Sequence, residues 1–230
     1  MTSVLFLALI LQSAPADEPR LQMMTYQMVF LWRGVATAEQ GADADKAQQA
    51  HLAHLTKLNR ERVNLLFGPF LDEGDLRGLA VLDVPDADTA RKLFTDDPHV
   101  KSGALKVEVK PWMGPKGWFH PPAETDVTRP GALEQLVFGF LKRGPNRSQS
   151  KTEAEELQKR HLAYMDALGK QGTLVMAGPF LEDSEWRGVV VYRVPTLEDA
   201  KALAAGDPMV KAGRLIIEAH PWMTLRGILK

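Results

Sequence analysis

The stretch Val63–Val84, "VNLLFGPFLDEGDLRGLAVLDV", decides the fold. Two apolar runs flank Leu71–Asp75, "LDEGD", whose Gly and acidic residues suit a turn, so the pattern predicts a hairpin of two antiparallel strands. A shift of 110 positions sets a second copy beneath it, Thr173–Val194, "TLVMAGPFLEDSEWRGVVVYRV", with "GPFL" on "GPFL" and "RG" on "RG".

Working outward, the same shift pairs "FLWRG" (Phe30–Gly34) with "FLKRG" (Phe140–Gly144) and Val84-Pro85 with Val194-Pro195. It also pairs Asp97-Pro98 with Asp207-Pro208, and "PWM" at Pro111–Met113 with Pro221–Met223. About 40% of positions between His51 and Met113 are identical to their partners without a gap, which marks a duplication. With two copies and so long a period, the arrangement is a tandem of domains, placed at 25–113 and 133–224. The segment 114–132 between them, "GPKGWFHPPAETDVTRPGA", reads as a Pro/Gly-rich linker.

Each copy has one rhythm. "YQMVFLW" (Tyr26–Trp32) is a strand, and 43–62 is a helix with Ala47, Ala50, Leu55 and Leu58 at helical spacing. The hairpin follows, then a helix with Asp86 as N-cap, then a last strand, "ALKVEVKPW". In the second copy Ser150 and Glu153 are spaced as a capping box. The order βαββαβ predicts a ferredoxin-like α+β unit with both helices on one face of an antiparallel sheet. The open faces of two such units can cover one another, which predicts an intramolecular pseudo-dimer of dimeric α+β barrel type.

Composition narrows the function. A net charge of -1 supplies no basic field for nucleic acid. The absence of cysteine removes disulfides, thiolate nucleophiles and cysteine-ligated metals. "VLFLALIL" (Val4–Leu11) is too short to span a bilayer and precedes Ala14-Pro15-Ala16, so residues 1–16 read as a cleaved secretory signal peptide. The expectation is a secreted or periplasmic protein without a stable membrane anchor, with a cytoplasmic chain as the alternative.

The topology then sorts polar residues. If strand 1 runs upward, Arg33, His51, Gly68-Pro69, Arg77 and Asp97 approach one edge of unit one. Arg143, His161, Gly178-Pro179, Arg187 and Asp207 do so in unit two, with Trp112 and Trp222 at the opposite edge. A carboxylate that accepts from one imidazole nitrogen fixes the tautomer and leaves the other nitrogen to exchange a proton. His51 with Asp97 and His161 with Asp207 are therefore the candidate catalytic pairs, and Arg33, Arg77, Arg143 and Arg187 the candidate anion contacts. The competing reading is structural: Asp before Pro is a common turn device, and a helix histidine can bond it for stability alone.

Other features carry less. His51 and His54 could share a metal, but Tyr164 replaces the second and no carboxylate stands at ligand spacing, so no metal or other cofactor is expected. "GPF" lacks the pattern of a phosphate loop, and Gly68 and Gly178 read as backbone turns. His99, His120 and His220 have no counterpart in the other copy and are assigned satisfied or exposed roles.

The set of helix histidine, strand-end "GP" and "DPxVKxG", in that order in both copies, resembles the YCII-related family across about 26–113 and 136–223. The resemblance implies a dimeric α+β barrel fold and a His-Asp site at His51 with Asp97 and His161 with Asp207. One type of member acts as a dehydrochlorinase on chlorinated hydroxyquinols, related barrels include lactone isomerases, and most members have no assigned reaction. The tandem fusion and the expected export signal depart from that pattern. Two functions follow as expectations: a cofactor-independent lyase or isomerase acting on a small anionic or phenolic molecule, or a non-catalytic exported small-ligand-binding protein. Either is expected as a monomer with an internal pseudo-dimer, higher oligomers being left open.

Overall fold

The computed structural model describes residues 22–36, 42–122 and 126–229; the expected signal peptide at 1–16 lies outside them. Unit one contains β1 (Met23–Arg33), α1 (Ala42–Arg60), β2 (Asn64–Pro69), β3 (Leu76–Leu82), α2 (Ala87–Phe94), α3 (Pro98–Lys101) and β4 (Leu105–Pro115). Unit two repeats it as β5 (Leu133–Arg143), α4 (Lys151–Lys170), β6 (Leu174–Pro179), β7 (Trp186–Tyr192), α5 (Leu197–Gly206), α6 (Pro208–Lys211) and β8 (Leu215–Leu225). The sheets are antiparallel, ordered β2-β3-β1-β4 and β6-β7-β5-β8, as a ferredoxin-like βαββαβ unit requires.

Local chemistry explains the element ends. Asp86 caps α2 by accepting from the Thr89 amide at 2.7 Å, and Ser150 with Glu153 forms the capping box of α4. The four-residue helices α3 and α6 are additions to the expected pattern. Pro98 and Pro208 stand at their starts, where a missing N–H costs nothing, and Asp97 and Asp207 cap them. Strand β4 continues to Pro115, opposite Met23, so pairing extends into the first residues of the expected linker.

β1 is buried without alternation from Tyr26 to Leu31, because one face meets the helices and the other the second sheet. Between the sheets the rings of Phe30, Phe70, Phe138, Phe140, Phe180 and Trp186 touch, with centroids 4.3 Å apart for Phe140 and Trp186 and 5.6 Å for Phe30 and Phe140. Burying each such side chain is worth roughly 1.5–3 kcal/mol, so this layer holds the two units together.

The sheet edges also join. Leu71 N donates to Pro221 O at 2.9 Å and its equivalent, Leu181 N, to Pro111 O at 3.0 Å. Gly68 and Gly178 lie at these seams. Neither adopts a positive φ, so they are not the turns expected of them. A Cβ at Gly68 would collide with the carbonyl oxygen of Met223, and one at Gly178 with that of Met113. Glycine is needed at "GPF" because the other unit's backbone passes there. Trp112 and Trp222 are fully buried beside these seams, and Trp222 Nε1 donates to Gly68 O at 3.1 Å.

Two side-chain clasps cross the interface at equivalent positions. His220 Nδ1 meets Asp72 Oδ2 at 2.5 Å, and Lys110 Nζ meets Glu182 Oε2 at 3.5 Å. His220 also reaches Glu218 Oε1 at 3.2 Å and packs edge-on against Phe70 and Phe140. The satisfied role expected for His220 thus takes the specific form of a bond between units.

Candidate functional site

Helical spacing carries the histidines inward. α4 buries His161, Met165 and Leu168 at i, i+4 and i+7, and α1 buries His51, Leu55 and Leu58 in the same way. At that depth each meets the turn before the short helix. His51 Nδ1 donates to Asp97 Oδ2 at 2.6 Å, and His161 Nδ1 to Asp207 Oδ2 at 2.6 Å.

The carboxylates are fixed from their other side. Asp97 Oδ1 accepts from the amides of His99 at 2.9 Å and Val100 at 3.3 Å, and Asp207 Oδ1 from the Met209 amide at 2.7 Å. Asp97 has no exposed surface. That burial alone would raise its pKa, but the His51 bond and the two amides outweigh it and hold the carboxyl below its ordinary value. An acceptor on Nδ1 places the ring proton there. Nε2 of His51 is then the ring nitrogen left to exchange a proton.

The four arginines do not join these pairs. Arg33 Nε lies 3.2 Å from Asp75, and Arg77 donates to the carbonyls of Asp72 and Gly74 at 3.1 and 3.2 Å, so both are taken up by the β2–β3 connection. In unit two Arg143 and Arg187 converge on one oxygen of Asp183, at 2.7 and 2.6 Å. Among the described residues no cluster of three or more His, Cys, Asp or Glu side chains could hold a metal. No described helix is long and apolar enough to cross a membrane.

The surroundings of the two pairs differ. In unit one the His51 ring lies 5.0 Å from that of His99, and His99 Nε2 reaches Gln48 Oε1 at 3.1 Å. A groove of about 400 Å³ opens between α1 and α2, lined by His54, Lys57, Thr89, Lys92 and Asp96. His54 Nε2 is buried there without a hydrogen-bond partner among the described residues. In unit two Tyr164 takes the place of His54, donates to Leu203 O at 2.7 Å and lies close against Gly206, where a Cβ would collide with its hydroxyl. Tyr192 is buried near Asp207; burial first, then the charge of Asp207 and the neighbouring Tyr164, push its hydroxyl pKa up. Spacing ranked His54 below His51. The signal that it borders a groove was its exchange for the larger Tyr164.

Solved structures share this architecture. A heme-binding protein from Thermus thermophilus superposes over 92% of this chain and 95% of its own with a TM-score of 0.51 at 12% identity. A protein assigned to chlorite dismutase superposes over 90% and 94% with a TM-score of 0.53 at 9% identity. At such identities the likeness is one of fold, the dimeric α+β barrel. No curated protein matches the sequence. The YCII-related domain matches twice, over residues 27–113 and 140–222, in register with the internal repeat. The chain therefore belongs to the YCII-related domain family, with two copies of its domain in tandem.

Proposed function

We propose that the chain is a cofactor-independent acid–base catalyst, a lyase or isomerase that moves a proton on a small anionic or phenolic molecule. His51 and His161 are the proton-transfer groups and Asp97 and Asp207 their orienting partners. The observation that carries this reading is the repeated geometry. Both units hold imidazole Nδ1 2.6 Å from a carboxylate whose other oxygen is tied to backbone amides. An imidazole whose Nδ1 donates to a carboxylate leaves Nε2 to exchange a proton with a bound molecule, help worth roughly 10²–10⁴ in rate.

The heme named for the Thermus thermophilus protein does not fit the interior of this barrel. Phe30, Phe70, Phe138, Phe140 and Trp186 fill the space between the sheets, and His220 at its margin has both ring nitrogens engaged by Asp72 and Glu218.

A second reading, a non-catalytic exported protein that holds a small ligand, is favoured by the groove beside His54. A thermal-shift screen of small carboxylates and phenols separates the two. Under the enzyme reading a ligand that stabilises wild type is consumed by it, whereas the His51→Ala/His161→Ala variant binds it unchanged. A hit that neither protein consumes, and whose binding His54→Ala weakens, favours the second reading. Sequencing the N-terminus of the exported protein tests cleavage after residue 16.

A further inference from the structure

The edge of the second sheet gathers four arginines, two of which have no counterpart in the first sheet. Arg143 ends β5, Arg187 lies at the start of β7, Arg214 immediately precedes β8, and Arg147 lies between β5 and α4. Arg143 and Arg187 share one oxygen of Asp183. Two guanidinium groups thus bond one carboxylate, and Arg147 feels the charges of Arg143, Arg187, Arg214 and Asp183, a group of five with a surplus of three positive charges. At the matching positions of unit one, Thr37 replaces Arg147 and Ala104 replaces Arg214.

The segment carrying Arg147 is fastened to the turn ahead of β8. Asn146 N donates to Gly213 O at 2.9 Å, Asn146 Nδ2 to Ala212 O at 3.0 Å, and Arg214 Nη1 to Gln149 Oε1 at 2.7 Å. Arg214 Nε is buried and has no hydrogen-bond partner among the described residues. The Arg147 guanidinium is held below its ordinary pKa, first by partial burial and then by the like charges of Arg214, Arg143 and Arg187, with Asp183 offsetting only part of this. Repulsion of this kind is relieved by an anion.

We propose that Arg143, Arg147, Arg187 and Arg214 form a binding site for the phosphate group of a small molecule, present in unit two alone. A guanidinium fork donates two parallel hydrogen bonds to a phosphate, which has enough oxygens to serve several forks and enough charge to offset the surplus. A single carboxylate would leave most of that surplus in place. The site is separate from the His-Asp pairs and stands whether or not they are catalytic.

Titration of the full chain with inorganic phosphate at constant ionic strength, followed through the arginine Nε–H signals by NMR, tests this. The expected result is saturable shifts at Arg147 and Arg214, with affinity lowered by about tenfold or more in Arg147→Ala and partly kept in Arg147→Lys, which retains the charge but not the fork. Arg147 is exposed, so its replacement leaves folding intact. Arg33→Ala, in the matching edge of unit one, leaves the affinity unchanged. Shifts that do not saturate, an Arg147→Ala affinity equal to wild type, or an equal loss in Arg33→Ala would each overturn the proposal.

Discussion

The two units share a backbone and a His-Asp pair and part company in what surrounds the pair. Unit one places His99 beside it and carries a groove bordered by His54 between α1 and α2; unit two has Met209 at the position of His99, Tyr164 at that of His54, and Tyr192 near Asp207. Unit two in turn carries the arginine cluster. After duplication, the parts that must satisfy both units at once stay alike: the seam glycines and the edge hydrogen bonds. The parts that face outward are free to diverge. An intramolecular pseudo-dimer can hold two different surroundings around one shared geometry, which a homodimer of identical chains cannot.

The largest expected effect breaks what the units share. Gly68→Val and Gly178→Val each drive a side chain into the opposite unit's backbone, and each lowers stability by about 3 kcal/mol or more, measured by chemical denaturation. Similar losses at both sites show a symmetric seam; a tolerated substitution shows that one seam is loose.

Removing the carboxylates comes next. Asp97→Ala strips a helix cap and leaves His51 unpaired in a buried setting, a loss of about 2 kcal/mol, and Asp207→Ala does the same for His161. The accompanying pH dependence has a definite sign. The pKa of Asp97 is depressed in the folded state, so its ionised form favours folding. That contribution is complete above the unfolded-state value near 4 and is lost as pH falls through the folded value. Wild type therefore loses stability below about pH 4 more steeply than Asp97→Asn, a difference readable from melting temperatures across an acid series.

The clasps give the smallest effect. His220→Ala, which removes a partly buried pair and a ring packed on Phe70 and Phe140, costs about 1 kcal/mol. Lys110→Ala costs less, about 0.5 kcal/mol, because the longer Glu182 contact is more open to water. Equal losses would mean that the two clasps are interchangeable.

These differences track what a sequence makes visible. The ungapped repeat and the hairpin at "LDEGD" are local or repeated signals, and the order of elements they imply led to the topology and to Asp97 and Asp207 as candidate partners of His51 and His161. The seam role of Gly68 was hidden because the atoms that exclude a Cβ belong to Met223, in the other unit. The His220–Asp72 bond joins residues 148 positions apart and has no His in the other copy to flag it. Arg33 and Arg77 were expected beside the His-Asp pair, yet a long side chain can satisfy itself on its own hairpin, and strand order does not reveal that choice.

Proton transfer by both His-Asp pairs is a proposal that rests on their geometry. It is tested most directly by following solvent deuterium exchange into small carboxylates and phenols in D₂O, with wild type, His51→Ala, His161→Ala and the double variant side by side. Wild type is expected to catalyse exchange that falls roughly a hundredfold or more in the double variant, with the single variants assigning the activity to one unit or both. Exchange that persists undiminished in the double variant would contradict it.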